Sequence, residues 1–260
     1  MTRIALVQMQ AKAGDVSANL ARIAGAARQT AEAGASLLVA PELALTGYGA
    51  GDAIARLAEP TDGAMIGALE AIAAQHDIAI LAGFPERAGA TVYNSAAFVG
   101  TVGHATVYRK SHLYGDYERA LFAPARPSGV IVEHAGLKFG LLICYDVEFP
   151  ENVRRLAKAG AQAVLVPTAL PAGDHAAFIA RQMIAVRAFE NQIFLAYANH
   201  CGADALFTYA GLSQIAAPDG TMLAGADAVE DTLLIATIDP SAFAGSAAQN
   251  TYLRDMRDEL

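Results

Sequence analysis

Apolar residues follow two rhythms along the chain. Short unbroken runs read as buried strands: Ile4 to Met9, Ser36 to Ala40, IAILAGF at 78–84, AVLVP at 163–167, IFLAYAN at 193–199 and TLLIATID at 232–239. Between them, Asn19 to Ala33, Ala64 to Gln75, Glu151 to Ala159 and Ala176 to Glu190 place apolar residues at helical spacing. Strand, helix and strand in succession make a βαβ start, and the alternation predicts a layered α/β sandwich with a mixed sheet. VYNSAAFVG and ATVYRK follow IAILAGF too closely for crossover helices, so antiparallel neighbours are expected there. Gly129 to His134 and Leu137 to Ile143 read as two further strands, and PDG at 218–220 as a turn between short ones. From Ser111 to Pro127 both rhythms lapse, which predicts a long polar and aromatic loop, and loops of that length in a compact domain are usually functional. Ser241 to Leu260 shows no clear partner inside the fold.

Length and charge narrow this picture. A chain of 260 residues is long enough for one substantial core, and no linker, repeat or composition break divides it, so a single domain over 1–260 is expected. With 26 acidic against 18 basic residues, and no Lys/Arg cluster to track a phosphate backbone, nucleic acid is not an expected partner. No window approaches the roughly 18 apolar residues of a membrane span, and MTRIALVQMQ is too short an apolar run for a signal peptide. The expected location is the cytoplasm. Cys144 and Cys201, the two cysteines, lack paired spacing, and the six histidines show no H-x-x-x-H pair, so neither disulfide, metal nor other cofactor is expected.

Three segments place a reactive side chain just after a strand, where α/β folds collect ligand-binding groups. They are LLVAPELALTGY with Glu42, VYRKSHLYGDYER with Lys110 and Glu118, and GLLICYDVEFPE with Cys144. A thiol needs a base for its proton and a cation or amide donors for developing negative charge, and carboxylate, ammonium and thiol supply that set without a metal. Taken singly each residue has a plainer reading: a strand cysteine packs as a small hydrophobe, a lysine is solvated, and Glu118 starts a helix. Their weight comes from occurring together. Cys201 reads as packing, and His112 as a structural hydrogen-bonder.

These motifs, PELALTGY, YRKSHL and CYDVEFPE in that order, resemble those of the nitrilase superfamily, the carbon-nitrogen hydrolases, and the resemblance runs from ALVQMQ through RAFENQIFLAYANHCG at 187–202 to TLLIATIDP. It implies a four-layer α-β-β-α sandwich, assembled as a homodimer or higher homo-oligomer in which the 241–260 tail crosses an interface. It also implies roles: Cys144 as nucleophile, Glu42 as general base, Lys110 and the backbone N–H of Tyr145 at the oxyanion, and Glu118 orienting Lys110. Lys110 beside the thiol would favour thiolate.

The resemblance implies hydrolysis of a small-molecule amide; a nitrile or an N-carbamoyl amine would use the same triad, and a non-catalytic binding scaffold is the reading outside enzymology. Tyr48, closing the first motif, and Thr168 and Ala169 in PTALPAG are candidate pocket walls. Glu148 stands where relatives acting on ω-amides of dicarboxylic acids often carry arginine. A carboxylate there would attract an amine-bearing amide such as an amino acid amide, unless it pairs with Arg154 or Arg155 at a helix start.

Overall fold

Alternation at period two decides the architecture. In β1 (Thr2–Gln8), Ile4 and Leu6 join one buried cluster while Ala5 and Val7 join another, so the strand has a core on each face. In the computed structural model, which describes residues 1–101 and 103–257, the elements follow as α1 (Val16–Glu32), β2 (Leu37–Val39), α2 (Ala53–Leu57), α3 (Ala64–His76), β3 (Ala79–Ala88), β4 (Thr91–Val99), β5 (Thr106–Arg109) and α4 (Gly115–Leu121). Then come β6 (Ile131–His134), β7 (Leu137–Leu141), α5 (Pro150–Lys158), β8 (Ala163–Thr168), α6 (Ile184–Asn191), β9 (Phe194–Asn199), β10 (Gln214–Ala216), β11 (Met222–Gly225), β12 (Thr232–Ile238), α7 (Ala244–Gln249) and α8 (Tyr252–Asp255).

Two six-stranded sheets result, ordered β12-β1-β2-β3-β4-β5 and β11-β10-β9-β8-β7-β6. Each has three parallel strands at its centre, β1-β2-β3 in one and β7-β8-β9 in the other, with antiparallel strands outside them. Helices α1 and α3 cover the outer face of the first sheet with Ile23, Ala27, Leu69 and Ala73. Helices α5 and α6 cover the second with Val153, Leu156, Ile184 and Ala188. The facing sides of the sheets share one core in which Leu6, Val39 and Leu81 meet residues such as Leu141 and Leu165. The expected α-β-β-α sandwich is therefore the observed one, and β4 and β5 are the expected antiparallel neighbours. No helix among the described residues is long and apolar enough to cross a membrane.

Two expectations need correction, and the helix expected over 176–190 holds with a local change. The 111–127 segment holds α4, which has seven residues and opens after Tyr114 with Gly115 at φ +63°; two turns are too short to display a helical rhythm. The helix expected over 176–190 is a π-helical stretch, Phe178–Met183, running directly into α6. The tail has partners in its own chain: Phe243 meets Phe194 edge-on at 5.3 Å, Tyr252 meets Phe189 at 5.7 Å, and Ser246 Oγ donates to Gln192 at 2.8 Å. Its elements are only four to six residues long, so spacing could not reveal them. Residues 258–260 of that tail lie outside the described residues.

Candidate active site

The two sheets contribute unequally where their strand ends meet. From the first sheet, β2 ends in a turn that carries Glu42, with Leu43 at φ +49°. Strand β3 passes directly beneath: a Cβ on Gly83 would lie 2.1 Å from Leu43 N and 2.7 Å from Glu42 Cα, so only glycine admits the turn. Gly83 N donates to Pro41 O at 3.1 Å, and Gly83 O accepts from Leu45 N at 3.1 Å, stitching the turn to the strand. Lys110 leaves the end of β5, Asn94 sits in β4, and Glu118 enters from α4.

These side chains form a closed charged cluster. Lys110 Nζ donates to Glu42 Oε1 at 2.7 Å and to Glu118 Oε1 at 2.6 Å, with all three side chains fully buried. Asn94 Nδ2 also donates to Glu42 Oε1, at 2.7 Å. Glu118 is filled by Tyr48 Oη, donating at 2.9 Å, and by Tyr114 N at 2.8 Å. Tyr48 therefore stands behind Glu118, its hydroxyl committed to that carboxylate. Glu42 Oε2 remains buried with no hydrogen-bond partner among the described residues. An ammonium has three N–H groups and two are used here, so Lys110 keeps one N–H without an acceptor among the described residues.

From the second sheet comes the thiol. Cys144 follows β7 at φ +44°, in a five-residue 3₁₀ turn, Cys144–Glu148. A non-glycine residue there is strained by about 1–3 kcal/mol, a geometry that persists where surrounding contacts hold it and is concentrated at functional sites. Tyr145 N lies in the first turn of that segment, where amides lack intrahelical acceptors. The end of β8 adjoins the Glu42 turn through Glu42 N, which donates to Thr168 O at 3.4 Å. The Ala169 backbone amide draws the thiol down, against burial, and Thr168 Oγ1 turns back to Val166 O at 3.0 Å.

Electrostatics corrects one expectation. Burial, and after it the Glu42 carboxylate, push the Cys144 thiol well above its ordinary value; Lys110 pulls the other way and loses. Burial is the larger cause, and the one ammonium that could offset it already faces two carboxylates. For Lys110 itself, burial alone would lower the ammonium, but the Glu42 and Glu118 carboxylates bonded to it outweigh that and hold the group well above its usual value. Burial also lifts Glu118, against the pull of Lys110. Burial thus favours the protonated thiol, beside a lysine that bridges two buried carboxyl groups.

Glu148 is half-buried at the end of the 3₁₀ turn. Burial lifts its carboxyl, while Lys110 and then Arg187 draw it back, which sets it within reach of the site's charge. The pairing weighed for it is not made: Arg154 donates to Glu190 O at 2.7 Å and Arg155 to Asn152 Oδ1 at 2.9 Å. Arg187 donates to the carbonyls of Val147 at 3.0 Å and Glu148 at 2.7 Å, fixing the backbone and leaving the Glu148 side chain aside. Cys201 lies apart, its thiol donating to Asp231 at 3.3 Å and pushed up to about 12, chiefly by burial. His112 stacks on Phe149 at 3.9 Å and hydrogen-bonds to Ser111 and Asp146, as expected of a structural histidine. Among the described residues no group of three His, Cys, Asp or Glu could hold a metal.

Sequence reasoning brought Glu42, Lys110, Glu118 and Cys144 to one place but passed over Asn94 and gave Asp146 no part. A signal for Asn94 existed: an amide inside the buried strand VYNSAAFV must find a polar partner.

An α-β-β-α sandwich that brings a thiol, a carboxylate and an ammonium together at its strand ends has the makings of a cysteine hydrolase. Comparison with known proteins specifies which. The carbon-nitrogen hydrolase profile matches residues 3–247. A Pseudomonas protegens hydrolase encoded in the pqqF 5′ region is 43% identical over 99% of this chain and 90% of its own length. An (R)-stereoselective amidase of Pseudomonas sp. is 36% identical over 98% of this chain and 91% of its own. Among solved structures, a glutamate-to-glutamine variant of the amidase from Nesterenkonia sp. AN1, carrying the product of Michael addition of acrylamide at its active-site cysteine, superposes with a TM-score of 0.87 at 35% identity, covering 100% of this chain and 98% of that one. The chain belongs to the carbon-nitrogen hydrolase family.

Proposed function

We propose that this protein hydrolyses a small-molecule carboxamide to the acid and ammonia through a thioester on Cys144. The observation that carries the reading is the asymmetry of Glu42: Oε1 is held by Lys110 and Asn94, while Oε2 is buried and unpartnered beside a neutral thiol. A desolvated carboxylate oxygen with nothing to accept from is a base awaiting a proton. As Sγ attacks the amide carbon, Glu42 Oε2 takes the thiol proton and the carbonyl π pair moves to oxygen. The unspent N–H of Lys110 and the N–H of Tyr145 receive that oxyanion. Collapse breaks the C–N bond, Glu42 returns the proton to the leaving nitrogen, and ammonia departs. Water, deprotonated by the same oxygen, then attacks the thioester, the C–S bond breaks and the thiol is restored. Because the thiol starts neutral, proton transfer and attack are coupled, and no thiolate need be stored.

Glu148 supports the finer proposal that the preferred amide carries an amine, as an amino acid amide does. Its carboxylate is free of Arg154 and Arg155 and senses Lys110. Ammonia release is measured from an amino acid amide, a neutral aliphatic amide, an ω-amide of a dicarboxylic acid, a nitrile and an N-carbamoyl amine, beside Cys144→Ala. Release from the amino acid amide, lost in Cys144→Ala, is expected. Glu148→Gln raises KM for that substrate severalfold and leaves the neutral amide unchanged; release from the ω-amide alone would discard the Glu148 argument.

A further inference from the structure

The buried carboxylate of Asp146 lies two residues beyond Cys144 and is fully shielded from solvent. It accepts at Oδ1 from Ser111 N at 3.3 Å, Ser111 Oγ at 2.7 Å, His112 N at 2.9 Å and His112 Nδ1 at 3.0 Å, and at Oδ2 from Tyr108 Oη at 2.9 Å and Ile143 N at 3.3 Å. An acid that only capped its own turn would stop at Ile143. The other donors stand 34 to 38 residues away, Tyr108 in β5 of the far sheet and Ser111 and His112 in the loop that follows it. They bracket Lys110: Tyr108 comes two residues before it, Ser111 and His112 directly after. Ile143 and Asp146 bracket Cys144 in the same way.

We propose that Asp146 is a positioning residue which, by gripping the chain on both sides of Lys110 and of Cys144, sets the ammonium on one sheet against the thiol on the other. The proposal rests on the amide-hydrolysis reading above. Lys110 and Cys144 leave strands of different sheets, and while Glu42 N to Thr168 O and His200 Nε2 to Glu42 O tie the Glu42 turn to the second sheet, Asp146 ties the residues flanking Lys110 to those flanking Cys144. The same carboxylate holds the strained Cys144 backbone: Ile143 N donates to its side chain, and Asp146 N donates to Ile143 O at 3.0 Å. Asparagine in its place keeps the shape, but its NH2 would face N–H and O–H donors.

The test compares wild type with Asp146→Asn using a neutral aliphatic amide, butyramide. The expected result is a fall in kcat of about 100-fold, the scale of a 1 Å misplacement, with KM within about threefold. A folded Asp146→Asn with wild-type kcat overturns the proposal, as does a loss carried by KM alone. Should that variant not fold, Tyr108→Phe and Ser111→Ala decide, each deleting one hydroxyl donor. A three- to tenfold drop in kcat at constant KM supports the clamp, and wild-type kcat in both overturns it. If the wild-type protein releases ammonia from no amide, the function fails by itself, and amide hydrogen exchange judges the clamp. Exchange at least tenfold faster in Asp146→Asn, confined to 108–112 and 141–146, supports it; unchanged or uniformly faster exchange does not.

Discussion

The two halves of the site are built on opposite principles. The first sheet contributes charge: Glu42, Lys110 and Glu118 are buried ions that hold one another through bonds of 2.6 and 2.7 Å. The second contributes no ion to that cluster. It offers a neutral thiol at a backbone φ of +44°, main-chain amides, and a turn pinned by Arg187 and Asp146. One half is fixed by Coulomb attraction, which burial strengthens, and the other by backbone geometry, which burial merely shields. A substitution in the charged half should therefore disturb protonation and stability as well as rate, whereas removal of the thiol should disturb rate alone.

That contrast is tested most severely at the thiol. Cys144→Ala should lower amide turnover by about 10⁴-fold or more while leaving the thermal midpoint close to wild type, measured by ammonia release and calorimetry. Glu42→Gln should lower turnover by about 10² to 10⁴-fold, the range of a general base, yet speed alkylation of Cys144 by iodoacetamide at pH 7. The sign follows from the charges: Glu42 is, after burial, the main influence raising the thiol, so removing its charge lowers the thiol and increases the thiolate fraction at a given pH. Slower alkylation in Glu42→Gln would mean that the carboxylate does not act on the sulfur as described.

Lys110→Met comes next. Two buried carboxylates would lose their counter-charge, which should cost about 3–5 kcal/mol at pH 7 in denaturant unfolding. Uncompensated burial raises a carboxyl in the folded state above its unfolded value, so the loss is complete above both values and recedes as pH falls through the folded one. Unfolding at pH 5 should thus show a smaller deficit than at pH 7, with Glu118, already lifted, taking up a proton readily. The smallest effect lies outside both halves: Phe243→Ala, at the half-buried contact with Phe194, should lower stability by about 1–2 kcal/mol and leave kcat unchanged.

The same division explains what could be read in the sequence. Strands buried on both faces write themselves as apolar runs, and a reactive residue at the end of such a run is conspicuous, so Glu42, Lys110 and Cys144 stood out. Asn94 and Asp146 did not, because their importance lies in partners 52 and up to 38 residues away. An asparagine in a strand, or an aspartate after a tyrosine, has the same local pattern whatever it meets across the sandwich. Helix α4, hinted at only by the acid at Glu118, and the elements of the tail show no rhythm for a different reason, since elements of four to seven residues hold too few turns to establish a period. The raised thiol is not legible from a lysine in the sequence, because the burial that lifts it, and the two acids that answer the lysine, belong to the folded site.

Beneath Glu42 runs the one stretch of β3 that carries no side chain, at Gly83, where an added methyl would sit 2.1 Å from the Leu43 nitrogen. The base is thus placed by an empty space as much as by any contact. A chain bearing alanine there would keep every reactive group and lose their alignment, so an inventory of the chemical parts of this protein would call it intact while the machine stood idle.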